Sequence, residues 1–283
     1  MLSAKFIQTQ VNRFYKTTLF DFPKDLKKFI QTRSQYNLVI PVFHGKGGED
    51  GDIQGFLKTL KMPFLFSDVA GHAVGIDKLL TKLIAQSCQI QQPSHQVVNK
   101  KQKIKYQKPV VIKPFNSGSS VDVFIVKCQK ALDQGLKKIF KSSEKAIAEI
   151  YIQGEEYTVG VIEENNKKIA LPIIWIKPNN KFFNYESKYT SGMAEEICPA
   201  PIDKKLEQSL KKIALLIHQT LGLKHMSRSD FIVDKKQQTY FLEVNTIPGL
   251  TQNSLIPKAV KTSGRDFGLL LKDWIQAELK KKN

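Results

Sequence analysis

The chain has 283 residues, 41% of them hydrophobic, enough for two or three subdomains sharing buried interfaces; no run nears the roughly 20 apolar residues that cross a bilayer and no basic-then-apolar leader opens it, so a cytoplasmic protein without membrane contact is expected. The formal charge of +18 is almost all lysine, with arginine only at Arg13, Arg33, Arg228 and Arg265, and it is spread along the chain without interleaved aromatics or a nucleic-acid motif, which argues against a nucleic-acid partner. Cys88, Cys128 and Cys198 are odd in number and far apart, with no CxxC pair and no nearby histidine arrangement that suggests zinc, so they read as buried or incidental thiols.

In chain order, the apolar run at residues 38–43 reads as a buried strand, followed by the glycine-rich turn at 45–51 and a helix over 52–60, an α/β unit. The polar stretch at 91–108 reads as a connection between subdomains. Strands are predicted at 110–114, 123–126, 146–152, 157–162 and 169–176, with an amphipathic helix over 129–140, an α+β pattern. The last third predicts a helix over 204–221, strands at 230–233 and 240–244, and a helix over 266–280.

Three segments carry chemistry. In the first, Lys113 ends an apolar strand and is followed by a turn of small residues whose amides can approach phosphates, the lysine supplying a point charge. In the second, Arg228 and Asp230 alternate on one strand and Glu243 and Asn245 on the next, which gathers two carboxylates, an amide oxygen and a guanidinium on one face. Such oxygen donors suit magnesium, and the guanidinium suits a phosphoryl group in transfer. In the third, the glycines after His44 let a loop sit against a small ligand, with His44 and Glu49 projecting from the strand end; a structural turn with a capping acid is the plainer reading.

Five ordered segments together resemble the D-alanine–D-alanine ligases of the ATP-grasp superfamily: HGKGGEDGDIQG (44–55), AVGIDKLLTK (73–82), VVIKPFNSGSS (110–120), FFNYESKYTSG (182–192), and RSDF (228–231) with LEVNTIPGLTQNSL (242–255). The resemblance implies an ATP-grasp fold, α/β and α+β, in which two α+β domains hold ATP between their sheets. Its expected divisions are a small N-terminal parallel α/β domain over residues 1–66, a central subdomain over 67–148, and a C-terminal subdomain with a magnesium site over 149–283. It further implies ATP-dependent joining of two D-alanines through a D-alanyl phosphate, for peptidoglycan precursors, by a homodimer.

Carried over by motif position, the resemblance implies that Lys78 and Lys113 contact phosphates, Glu149 the adenine amino group and Glu156 the ribose, with Ser119 and Ser120 in the phosphate loop. It implies that Asp230, Glu243 and Asn245 ligate two magnesium (or manganese) ions, while Arg228 and the Gly249 amide stabilise phosphate and the tetrahedral oxyanion. His44 would sit by the first D-alanine, Ser254 and Leu255 by the carboxylate of the second, and Lys188 and Tyr189 in a loop closing over the site, with Tyr189 and Ser119 hydrogen-bonded.

The chain departs from the family in three places. Asp122 stands where the family has glycine, at a position asking for a conformation glycine reaches more easily; Phe183 and Asn184 replace the common tyrosine and aspartate. No glycine precedes Gly45, so the family's first strand and glycine-rich turn, with its substrate-binding glutamate, are not found; Met1 is expected to be an internal methionine of a longer ligase. The alternatives weighed are a truncated or inactive homologue that binds nucleotide, and an ATP-grasp carboxylate–amine ligase with another substrate.

Overall fold

Two antiparallel sheets face each other, and helices back them on their outer sides. The computed structural model describes residues 2–45, 47–116, 122–178 and 194–281. The chain opens with α1 (Leu2–Val11), α2 (Leu26–Thr32), a 3-10 turn at Arg33–Gln35, and α3 (Asp52–Thr59). Residues 38–43, expected as a strand, make only an isolated parallel bridge, Val39 opposite Phe64. Pro41 in this segment and Pro63 in its partner lack amide donors, so the ladder stops after two hydrogen bonds, Val39 N–H to Pro63 O and Leu65 N–H to Val39 O.

Two helices then follow, α4 (Val69–Ile76) and α5 (Lys78–Ser87). The Asp77 carboxylate caps α5 by accepting from the amides of Leu79 and Leu80 at 2.8 and 3.1 Å, satisfying donors that the first turn leaves open.

The smaller sheet consists of β1 (His95–Asn99), β2 (Val110–Pro114), β3 (Phe124–Val126) and β4 (Lys145–Ile150), in the order β1-β4-β2-β3. Strand β1 corrects the reading of 91–108 as a plain connection. Only Val98 is buried along it, so this edge strand shows no apolar alternation to betray it. Helix α6 (Gln129–Ile139) packs Leu132, Leu136 and Ile139 on the Ile112, Val126, Ala146 and Ala148 face.

The larger sheet comprises β5 (Gly154–Glu164), β6 (Lys167–Ala170), β7 (Ile174–Pro178), β8 (Ala194–Ile197), β9 (Met226–Asp234) and β10 (Thr239–Asn245). Its order is β10-β9-β5-β7-β8, with β6 also paired to β5. The run at 169–176, expected as one strand, divides between β6 and β7 at Leu171 to Ile173, where Pro172 has no hydrogen to donate. Helix α7 (Lys204–Thr220) lays Leu206, Leu210, Ala214 and Ile217, spaced along one stripe, over Tyr157, Val159, Phe231 and Phe241. The C-terminal helices are α8 (Leu255–Thr262) and α9 (Phe267–Lys280); α9 shares a core with Ile7 and Val11 of α1, and Arg13 pairs with Asp266 at 2.8 Å. Among the described residues no helix is long and apolar enough to cross a membrane.

Gly154, the first residue of β5, is a point where the backbones of the large sheet touch. A Cβ there would lie 2.2 Å from the carbonyl oxygen of Val233 on β9, which cannot swing away as a side chain could. Gly154→Ala should therefore cost about 1–3 kcal/mol of stability. A urea midpoint unchanged by the substitution would contradict this close approach.

Candidate active site

Strand alternation decides which side chains meet. On the large sheet, Thr158 pairs with Asp230, Glu156 with Ile232, Glu243 with Asp230, and Asn245 with Arg228. Directly opposed residues share a face, so Glu156, Thr158, Arg228, Asp230, Glu243 and Asn245 all point away from the α7 side. The ladder of β9 and β10 shifts register between Phe241 and Glu243. This bulge keeps Phe241 in the core under α7 yet turns both Leu242 and Glu243 toward the opposite side.

The small sheet contributes its own uncovered face. Lys113 and Val111 alternate on β2, and Glu149 is opposite Val111 on β4. The two faces enclose a cleft of about 330 Å³ lined by Lys113, Glu149, Glu156, Thr158, Arg228, Asp230, Glu243 and Leu255, with Val111, Ile125, Ile150, Ile152 and Leu242 as apolar walls.

Charges in the cleft are paired. Arg228 donates through Nε and Nη2 to the two oxygens of Asp230 at 2.9 and 2.8 Å, and Asp230 also accepts from Thr158 Oγ1 at 2.6 Å and Asn245 Nδ2 at 3.1 Å. Glu243 pairs with Lys78 Nζ at 3.2 Å. Burial alone would raise the Glu243 carboxyl, but Lys78, Lys113 and Arg228 outweigh it and hold it at about 2. Glu149 is buried and its Oε1 meets two ammonium groups, Lys82 at 2.8 Å and Lys113 at 2.9 Å. Burial again acts upward, and the two lysines override it, keeping this carboxyl below its ordinary value.

Helix α5 thus serves both sheets. Lys78 reaches Glu243 on the large one, and Lys82, one turn on, reaches Glu149 on the small one. Lys82 was absent from the expected site, although the spacing of the two lysines on an amphipathic helix was a signal for it. Thr158 was missed as well; its place two residues after Glu156, on the same strand face, was the available clue.

The loop before α3 comes alongside the end of β10. His44 is bonded by the Ile247 backbone, its Nε2 lies 3.2 Å from Ser3 Oγ, and Glu49 lines a small cavity with Lys78, Glu243 and Asn245. Gly249 and Ser254 sit in the turn between β10 and α8. A Cβ on Gly249 would come within 3.1 Å of Ser254 Oγ, which itself accepts from Thr251 N–H at 2.9 Å. Ser119, Ser120, Lys188 and Tyr189, with Phe183 and Asn184, lie outside the described residues. Asp122 takes φ +59°, the left-handed conformation that glycine would reach freely and that aspartate tolerates better than most residues.

Burial raises Glu49 to about 7, against the Gly45 amide, Arg228 and Lys78, which favour the anion; Glu243 adds to the rise. The folded chain thus holds a proton that the unfolded chain releases near 4.5. The resulting stability is complete below about 4.5 and is lost as pH climbs through about 7. Glu49→Gln should remove that dependence and make the protein about 1–3 kcal/mol more stable than the parent at pH 8. Urea midpoints of both proteins between pH 5 and 8 test it, and parallel curves would contradict the shift.

Residues 72–276 match the family model described as D-ala D-ala ligase C-terminus. The D-alanine–D-alanine ligase of Buchnera aphidicola subsp. Schizaphis graminum is 37% identical over 264 residues, 89% of this chain and 83% of that protein. The ligase of Aquifex aeolicus is 39% identical over 237 residues, 82% of this chain and 79% of its own length. The solved D-alanine–D-alanine ligase of Bacillus anthracis superposes with a TM-score of 0.84 at 26% identity, covering 99% of this chain and 92% of the other. Its complex with ATP gives 0.83 at 27% identity, covering 98% and 91%. With the family model spanning most of the chain and relatives above 30% identity along most of their own length, the chain belongs to the D-alanine–D-alanine ligase family.

Proposed function

We propose that the chain joins two D-alanine molecules into D-alanyl-D-alanine with ATP, as a step in peptidoglycan precursor synthesis. The observation that carries this is the cleft itself: Lys113 and Glu149 on one sheet oppose Glu156, Arg228, Asp230 and Glu243 on the other, in a chain of this family. The carboxylate of the first D-alanine takes the γ-phosphoryl group of ATP and ADP leaves; the amine of the second then attacks that carbonyl, loses a proton, and phosphate departs.

Lys78 and Lys113 hold the phosphates in this reading, Glu149 accepts from the adenine amino group and Glu156 from the ribose. Arg228 and the Gly249 amide meet the charge that develops on the transferring phosphoryl and the tetrahedral oxyanion. His44 flanks the first D-alanine, and Ser254 and Leu255 receive the carboxylate of the second. By motif position, Ser119 and Ser120 join the phosphate loop, and Lys188 and Tyr189 close over the acyl phosphate to keep water off it.

The donor set fits magnesium or manganese. Asp230 and Glu243 oppose each other across the ladder with Asn245 beside them, all hard oxygen donors on one face. The described residues contain no cluster of three His, Cys, Asp or Glu, so nucleotide phosphates would have to complete the shell of any ion held by Asp230, Glu243 and Asn245. Two such ions, when bound, neutralise phosphate charge. We place the reaction in the cytoplasm, where ATP is supplied, and in a homodimer.

The test is phosphate release and dipeptide formation with ATP and D-alanine. Release requiring both, with dipeptide as product, supports the reading. Offering D-lactate as second substrate should give little ester, and preferential ester formation would overturn the assignment of specificity. Nucleotide binding without turnover would favour an inactive homologue, and turnover only with other amino acids a different carboxylate–amine ligase.

A further inference from the structure

Lys82 is 1% exposed and is not among the residues lining the cleft. Its ammonium ends 2.8 Å from Glu149 Oε1, the same oxygen that Lys113 approaches at 2.9 Å. The two lysines differ in place. Lys113 lines the cleft from β2, where nucleotide phosphates can reach it, whereas Lys82 stands on α5 outside the cleft lining, its backbone carbonyl bonded by Gln92 Nε2 at 2.8 Å.

A buried carboxylate with only one cation would oppose any movement of that cation, since losing it strands the charge in a poorly solvated place. Two cations remove the conflict. We propose that Lys82 is a positioning residue that keeps Glu149 neutralised when Lys113 turns to the nucleotide's phosphates, leaving Glu149 Oε2 to read the amino group of the base. Lys82 thereby couples phosphate binding to base selection without touching the nucleotide. The inference rests on the assignment of Glu149 to the adenine amino group.

The test compares ATP with inosine triphosphate, whose base carries a carbonyl oxygen in place of that amino group, in the full chain and in Lys82→Met. The variant keeps the Asp77 cap, the Lys78–Glu243 pair and one cation on Glu149, so α5 should stay in place. The unaltered protein should prefer ATP by at least about tenfold in kcat/KM. In Lys82→Met the KM for ATP should rise about tenfold while that for inosine triphosphate moves less than about threefold, so the preference collapses; KM for D-alanine should hold. Because a neutral amide needs no counter-cation, adding Glu149→Gln to Lys82→Met should cost little beyond Glu149→Gln alone. Parallel rises in KM for both nucleotides, or additive effects in the double variant, would overturn the role of Lys82 while leaving the Glu149 assignment standing. No preference for ATP in the unaltered protein would overturn the Glu149 assignment and the inference with it.

Discussion

Glu243→Gln should lower the ligation kcat by on the order of 10²-fold or more while leaving the chain folded. The substitution keeps the shape and an acceptor oxygen but removes one of the two carboxylates that oppose each other across β9 and β10. Lys78, Lys113 and Arg228 hold Glu243 as the anion, its carboxyl well below the ordinary carboxylate range, so what the substitution removes is a full negative charge. Raising magnesium should restore part of the activity if the missing charge is a metal ligand, because weaker binding is offset by mass action. Near-normal turnover at ordinary magnesium would refute the assignment of Glu243 to the metal site. A drop in the urea midpoint would instead point to the pair with Lys78 as chiefly structural.

How much of this was legible in the sequence depends on whether a feature is local. The alternations Arg228-x-Asp230 and Glu243-x-Asn245 specify one face on each strand, and the antiparallel ladder does place Glu243 opposite Asp230 and Asn245 opposite Arg228. Helices α6, α7 and α9 were legible from the spacing of Leu132, Leu136 and Ile139 and its equivalents, because an amphipathic stripe is written in consecutive turns. The bulge beside Leu242 was not, since it belongs to the pairing and has no residue signature of its own. Strand β1 was hidden by exposure, and its partner β4 lies some fifty positions away.

Proline set the other limits. Pro172 inside the run at 169–176 was a visible warning that one strand would become two, and Pro41 with Pro63 gave the same warning for 38–43. Apolar content outweighed both signals in the reading, although a missing amide hydrogen limits a ladder more strictly than hydrophobicity promotes it. For the site, Arg228 and Asp230 on β9 and Glu243 and Asn245 on β10, strands adjacent in sequence, were expected on one face and share it. Thr158 and Lys82, which support a carboxylate from a different element, were not, because their partners are set by the fold of the two sheets.

Arg228→Lys should prove nearly as damaging as losing Glu243, with kcat reduced on the order of 10²-fold although the charge is kept. Arg228 forms a fork on Asp230, Nε at 2.9 Å to one oxygen and Nη2 at 2.8 Å to the other, and the fork fixes the plane of a carboxylate whose remaining partners are Thr158 and Asn245. A lysine ammonium is a single point with three donors on a flexible stem, so it can neutralise Asp230 but cannot define that plane. The carboxylate would then be held only by Thr158 on one oxygen and Asn245 on the other, and a donor aimed at the transferring phosphoryl would lose its alignment. The loss should therefore appear in kcat more than in the KM for ATP, and added magnesium should not repair it, in contrast to Glu243→Gln. A kcat within about threefold of the parent would show that charge at residue 228 suffices and that the fork on Asp230 has no part in the chemistry.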